Sequence, residues 1–389
     1  MNRRQPLRPK YRFPWRSGNK FRLLVDGERF FEAMLGRIDS AERYVLLEMY
    51  LFESGRVADR FIAAFLRARG RGVSVYLLLD AYGAQGLRGA DRDRLVEAGV
   101  ELALYNPLRL GRLRSNLFRD HRKLLLIDGE VAFTGGMGIV DAFAPGPGPM
   151  DHWHEVAIEI RGPNVLDWQS LFEETWSRAG LDRLQLEPGQ VPRRAGERSG
   201  RVVVSRATAQ SEIARSYVKR IGNAKHRVWL ATAYFVPSWK LRRALRKGVH
   251  RGADVRIMLP GPLTDHPWAR HVARRYYERL LRNGIRIFEL QPRFLHAKML
   301  LCDTWVSVGS SNVDRWNLAW NLEANQEVHD RGLAEQAEAV FADDFPQCEE
   351  IDYERWRRRP WYSQLREWFW GNVAALLRWL SLRRGQRRR

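Results

Sequence analysis

His121-Arg122-Lys123-Leu124-Leu125-Leu126-Ile127-Asp128 and His296-Ala297-Lys298-Met299-Leu300-Leu301-Cys302-Asp303 state one pattern, HxKxxxxD, twice in the same chain. Each copy is followed by a turn of small residues, Thr134-Gly135-Gly136-Met137-Gly138 in the first and Gly309-Ser310-Ser311-Asn312 in the second. In an extended strand, residues i and i+2 share a face, so His121 projects with Lys123 and His296 with Lys298. Asp128 and Asp303 have the opposite parity and point away, which predicts an orienting task for them. Gly135, Gly136, Ser310, Ser311 and Asn312 let backbone N–H groups and small polar side chains approach an anion. Two His, two Lys and two such turns, joined by a two-fold arrangement, describe a pocket the size of a phosphate.

The surroundings of the motifs repeat as well. Tyr44–Tyr50 reads as a buried strand, about Val57–Ala68 as a helix, and Val73–Asp80 as a second strand. A helix over about Asp91–Ala98 and a strand over Gly99–Tyr105 follow. The same steps recur around Val228–Leu230, Val255–Leu259 and Gly284–Leu290. A spacing of this size is too long for a solenoid repeat and suits a duplicated domain. Alternation of strand and helix makes each copy an α/β layered unit. The breaker-rich stretch from Glu187 to Gly196 reads as a linker.

The chain has 389 residues, 45% of them hydrophobic, and a formal charge of +21. That length suggests two domains. Two cysteines exclude a disulfide framework, and no apolar run reaches the roughly 20 residues of a membrane-spanning helix. The opening Met-Asn-Arg-Arg-Gln-Pro is not read as a signal peptide. The charge calls for an anionic partner, either nucleic acid or an acidic membrane.

These paired motifs resemble the phospholipase D superfamily, and more closely the bacterial cardiolipin synthases of the short B-type form. The likeness runs from about Gly18 to Phe345. It includes Asp26-Gly27-Glu28-Arg29-Phe30-Phe31, Ala233-Tyr234-Phe235-Val236-Pro237, Trp153-His154-Glu155 and Asn321-Leu322-Glu323. Glu155 stands where the family often has Asp. The resemblance implies an α/β fold of two duplicated phospholipase D-like α-β-α sandwich domains, with a shared active site at the pseudo-two-fold interface. The expected divisions are a basic arm over 1–18, domains over 19–185 and 201–350, a linker over 186–200, and a basic Trp-rich tail over 351–389.

The same resemblance implies a catalytic set of His121, Lys123, Asp128, His296, Lys298 and Asp303. His121 is then the nucleophile that forms a phosphohistidine, and His296 the acid and base. Glu155 and Glu323 would hold the far ring nitrogens. Lys123, Lys298, Asn312 and the turn amides would balance phosphoryl charge, so no metal and no cofactor are expected. The stretch Asp151-His152-Trp153-His154-Glu155 offers metal-ligand chemistry, but a second ligand group is missing nearby. Arg109, Arg112, Arg114, Arg119 and Arg122 form a basic run that would either attract an anionic headgroup or simply face solvent.

The implied reaction turns two phosphatidylglycerols into cardiolipin and glycerol. A hydrolase, or a transferase using phosphatidylethanolamine, would share this chemistry, and a nuclease is a third reading. The charge favours lipid. Residues 1–22 carry eight Lys/Arg and no acid, and residues 355–389 carry eleven Arg and one Glu, which leaves little for the repeats. In the tail, Leu365, Trp368, Phe369, Leu376, Trp379 and Leu380 share one helical face, which fits an interfacial helix or one docked on protein. A peripheral place on an anionic phospholipid cell membrane is expected, with no nucleic-acid partner.

Overall fold

Apolar runs covered on both faces organise the chain. The computed structural model describes residues 10–109, 111, 115–146, 148, 151–182, 184, 186, 193–205, 211–314 and 320–360. The strands of the first half are β1 (Arg16–Val25), β2 (Tyr44–Met49), β3 (Ser74–Asp80), β4 (Glu101–Tyr105), β5 (Arg119–Asp120), β6 (Lys123–Ile127), β7 (Val131–Gly135) and β8 (Val156–Arg161). The second half adds β9 (Arg198–Ser205), β10 (Arg227–Ala231), β11 (Phe235–Val236), β12 (Asp254–Pro260), β13 (Arg286–Leu290), β14 (Met299–Cys302), β15 (Trp305–Gly309), β16 (Val313–Asp314), β17 (Asn321–His329) and β18 (Cys348–Glu350).

One sheet runs through both halves. Its order is β18-β13-β12-β10-β14-β15-β17-β9-β1-β8-β7-β6-β2-β3-β4. Outward from the centre, β1-β8-β7-β6-β2-β3-β4 is matched by β9-β17-β15-β14-β10-β12-β13, the pattern of a pseudo-two-fold. The halves meet where β1 pairs antiparallel with β9. Within each half β2-β3-β4 and β10-β12-β13 are parallel, and they are joined through helices.

Strand alternation sorts side chains between cores. On β6, Leu124 and Leu126 enter a central cluster with Trp168, Val202, Leu301 and Phe341, drawn from both halves. Leu125 and Ile127 face the opposite cluster, under the helices Asp26–Asp39 and Arg56–Gly70. The second half has its own outer cluster under Glu212–Ile221 and Trp239–His250.

Three boundaries differ from those expected. Strand β1 starts inside the proposed arm, and Phe13 is already buried. Arg12, Arg16 and Arg22 pair with Glu174, Asp167 and Glu159, so part of the N-terminal charge is neutralised within the fold. Strand β9 begins at Arg198, inside the proposed linker. At the other end, Ile351 and Trp356 belong to the second outer core, and Trp356 packs on Tyr277. The Trp-rich segment 365–380 lies outside the described residues.

The motif aspartates do structural work, in line with their strand parity and against a place among reacting groups. Asp128 turns the β6–β7 hairpin with φ of 55°, next to Gly129. Its carboxylate accepts backbone N–H bonds from Glu42, Arg43 and Tyr44 at 2.8–2.9 Å. Asp303 (φ 54°) does the same for Lys225, His226 and Arg227 at 2.9–3.0 Å. Each clamps the start of the neighbouring antiparallel strand, β2 or β10, at the end of its own strand remote from the motif histidine. An Asp128→Asn variant should lose about 2–3 kcal/mol of stability. Its folded fraction should keep turnover within a few-fold; denaturant unfolding and active-site-normalised rates check both.

Candidate active site

Each motif histidine is fastened by the other half of the molecule. Strand β5 pairs in parallel with the start of β17, and His121 N–H donates to the Leu322 carbonyl at 3.0 Å. This sets His121 beside Glu323, with Nδ1 2.9 Å from Oε1. Reciprocally, His154 bridges Leu295, and His296 N–H donates to the His154 carbonyl at 2.8 Å. That sets His296 beside Glu155, and Nδ1 and Oε2 are hydrogen-bonded at 2.6 Å. The chain has therefore exchanged its carboxylates: each motif supplies the imidazole and the opposite half the acid. Glu155 reaches its histidine although the family often has the shorter Asp there.

Both carboxylates are themselves anchored. Glu155 accepts its neighbour Val156 N–H at 2.8 Å through the oxygen not facing His296. Glu323 accepts the Ser310 hydroxyl at 2.5 Å, and Ser310 Oγ in turn accepts Ala324 N–H at 3.1 Å. Such outer contacts fix the orientation of the ring each carboxylate faces. Around His296 stand Trp153, Phe143 and Phe294, with ring centres 5.3, 5.3 and 5.7 Å away. His121 packs on Tyr50 at 4.6 Å.

The lysines complete a buried site of two imidazoles, two carboxylates and two amines. Lys123 and Lys298 are almost fully buried, and each donates to the carbonyl of its own motif histidine. Burial pushes Lys123 down to about 7, against the pull of Glu323 and helped by Lys298. Burial also lowers Lys298, opposed by Glu155 and Glu323. Both imidazoles are held below their ordinary value, first by burial and then, for His296, by Lys298, Lys123 and His121. Burial raises Glu155 to about 7 despite Lys298. An arriving phosphodiester anion reverses this balance: its charge favours protonated lysine and imidazolium.

The small-residue turns do more than line an anion pocket. Ser310 is committed to Glu323. A Cβ on Gly136 would lie 2.2 Å from Glu155 Oε2, and one on Gly135 would meet the Val156 carbonyl at 2.8 Å. These glycines thus let β7 approach β8 and the acid. Ser311 N–H donates to Asn325 Oδ1, leaving its amide engaged within the protein. Asn312 is the member that keeps capacity for a ligand: it is buried, and its Nδ2 has no hydrogen-bond partner.

One expectation needs correcting. Arg119 and Arg122 are buried cations, paired with Asp80 at 3.4 Å and Glu48 at 3.1 Å, and they do not face solvent. Arg112 and Arg114 lie outside the described residues, and Arg109 is exposed. The Asp151–Glu155 stretch is built as an ion network. His154 places Nδ1 2.9 Å from Asp26 and Nε2 2.9 Å from Asp344, Arg293 reaches Asp26 at 2.7 Å, and His152 faces Arg293. The pairing of His154 with Asp26 and Asp344, the place of Tyr50 and the packing of Trp153, Phe143 and Phe294 on His296 were missed in the sequence, because the partners are remote in the chain.

The descriptions of known proteins agree with this geometry. A family described as cardiolipin synthase, PLD-like domain, matches residues 34–176 and 217–345, one segment in each half. The chain belongs to that family. Cardiolipin synthase B of Salmonella typhi is 33% identical over 94% of this chain and 91% of its own. The Escherichia coli K12 protein of the same name gives the same figures, and a Clostridium perfringens cardiolipin synthase is 31% identical over 92% and 77%. The fold is shared with a phosphatidylserine synthase of Haemophilus influenzae at a TM-score of 0.67 and 11% identity, over 94% and 95% of the two chains. As a family member the protein is a phospholipase D-type phosphatidyltransferase, a cardiolipin synthase acting in phospholipid synthesis. Among the described residues no helix is long and apolar enough to cross a membrane.

His154 ties three elements to the site: the start of the helix Asp26–Asp39, the second motif, and the helix Arg331–Asp344. Burial opposes its proton, but Asp344 and Asp26 outweigh that and raise it to about 9 from 6.5. A raised folded pKa contributes stability that is complete below about 6.5 and lost as pH climbs through about 9. The wild type should lose about 3 kcal/mol across that window, and His154→Gln should flatten the slope. Denaturant unfolding at a series of pH values measures it.

Proposed function

We propose that the enzyme joins two phosphatidylglycerol molecules into cardiolipin and glycerol through a phosphohistidine, on the surface of a phospholipid membrane. The observation that carries this is the exchanged pair of imidazole–carboxylate units, with two buried lysines between them. His121 Nε2 attacks phosphorus while Glu323 faces the proton on Nδ1, and the P–O bond to glycerol breaks. His296 hands its proton to the departing alkoxide. The second phosphatidylglycerol then offers a glycerol hydroxyl. His296 takes that proton, the oxygen attacks phosphorus, and the P–N bond breaks to free His121. Lys123, Lys298 and the Asn312 Nδ2 stabilise the charge on the equatorial oxygens. One phosphodiester replaces another, so no nucleotide is consumed.

Purified protein in EDTA with phosphatidylglycerol vesicles should yield cardiolipin and glycerol by mass spectrometry; phosphatidic acid alone would mean hydrolysis. His121→Ala and His296→Ala should each lose activity by about 10²–10⁴-fold or more. Full activity in either variant would sink the mechanism. In single-turnover mixing with ³²P-labelled phosphatidylglycerol, the His296→Ala enzyme should keep labelled phosphatidyl on His121 longer than wild type, because no base takes the proton of the acceptor hydroxyl.

A further inference from the structure

The parallel strands of both halves end beside the site. Tyr50 follows β2 and packs on His121, Asp80 ends β3 and accepts Asp120 N–H at 2.9 Å, and Thr232 follows β10 and contacts Asn312. Ligands of open α/β sheets sit at such strand ends. Among the described residues, seven large apolar side chains are exposed. Six of them, Tyr82, Leu108, Leu117, Trp239, Leu263 and Trp268, stand on the connections leaving these ends in both halves. Val96, in the helix Gly89–Glu97, is the exception.

Cations accompany them. Arg109 follows Leu108, and Lys240 and Arg243 share the helix that Trp239 opens; all three are exposed. A ring column leads inward as well: Trp268 stacks on His266, and His266 on Tyr234, each at 5.9 Å. Tyr234 N–H then approaches Asn312 Oδ1 at 3.4 Å. Scattered apolar side chains on a surface need no explanation, but a set gathered at one rim does. Tyr, Trp and Leu tips with adjacent cations match the boundary of an anionic bilayer, where rings and methyl groups enter the acyl edge and cations meet phosphates. A lipid phosphodiester sits at that same level, so a site facing it need not extract the lipid.

We propose that the rim carrying Tyr82, Leu108, Leu117, Trp239, Leu263 and Trp268 is the face that seats on an anionic phospholipid bilayer, lowering the motif histidines to the headgroup plane. This rests on the lipid-transferase reading and adds the surface by which the fold itself engages the membrane, apart from the tail.

The test uses the full chain and a Leu108→Asp/Leu263→Asp variant. Partition onto mixed phosphatidylglycerol–phosphatidylcholine vesicles is read by co-sedimentation, and turnover on those vesicles and on monomerically dissolved short-chain phosphatidylglycerol. The variant should lose about tenfold or more in vesicle partition and vesicle turnover. Turnover of the monomeric lipid should report an intact, folded site, and Val96→Asp should partition like wild type. Unchanged partition of the double variant overturns the proposal. So does a wild-type dimer in light scattering that the variant dissolves, since a second copy would then cover the rim. Partition is read without turnover, so failure of the transferase reading shows separately, as wild type that binds vesicles and makes no product.

Discussion

Each motif imidazole depends on a carboxylate carried by the opposite half of the chain. Glu155 belongs to the first repeat and holds His296; Glu323 belongs to the second and faces His121. Neither half contains a complete unit, so the site exists only when β1 and β9 pair and the two sheets become one. The cross-half backbone bonds from His121 to Leu322 and from His296 to His154 make the exchange geometrically definite. Buried carboxylates are costly unless paired, which ties the docking of the halves to the assembly of the chemistry.

The surrounding fold serves this constraint in layers. Asp128 and Asp303 fix the far ends of the motif strands by collecting three backbone N–H groups each. The helices Asn164–Arg178 and Arg331–Asp344 enter the central core, and Asp344 on the second one helps hold His154. A desolvated centre of two lysines and two imidazoles results, in which an anion would favour the protonated forms. The near symmetry is broken at the histidines: His296 lies within an aromatic wall and is hydrogen-bonded to its acid, whereas His121 leans on Tyr50. That asymmetry gives the two imidazoles unequal surroundings for unequal tasks.

The sequence pattern carried much of this. The duplicated HxKxxxxD motifs, their strand parity and the repeated α/β steps survive into the structure because they rest on local periodicity. Central strands β1 and β9 were hidden for a physical reason. Arg and Lys punctuate β1, and β9 opens with Arg-Ser-Gly-Arg, so the first residues of each read as arm and linker until a neighbouring strand covers them. The basic run before the first motif misled in the same way. Arg119 and Arg122 are neutralised by Asp80 and Glu48, 39 and 74 positions away, and a list of charges contains no such distances.

The amino-acid sequence by itself determined the HxKxxxxD motifs, their duplication and the α/β class, since residue type and spacing of 2 and 3.6 are local properties. Tertiary structure alone decided which acid faces which histidine, which arginines are spent inside the fold, and that six of the seven large exposed apolar residues among those described stand on connections at the same strand ends. Those outcomes depend on contacts between segments 39 to about 200 residues apart, brought together by burial and strand pairing.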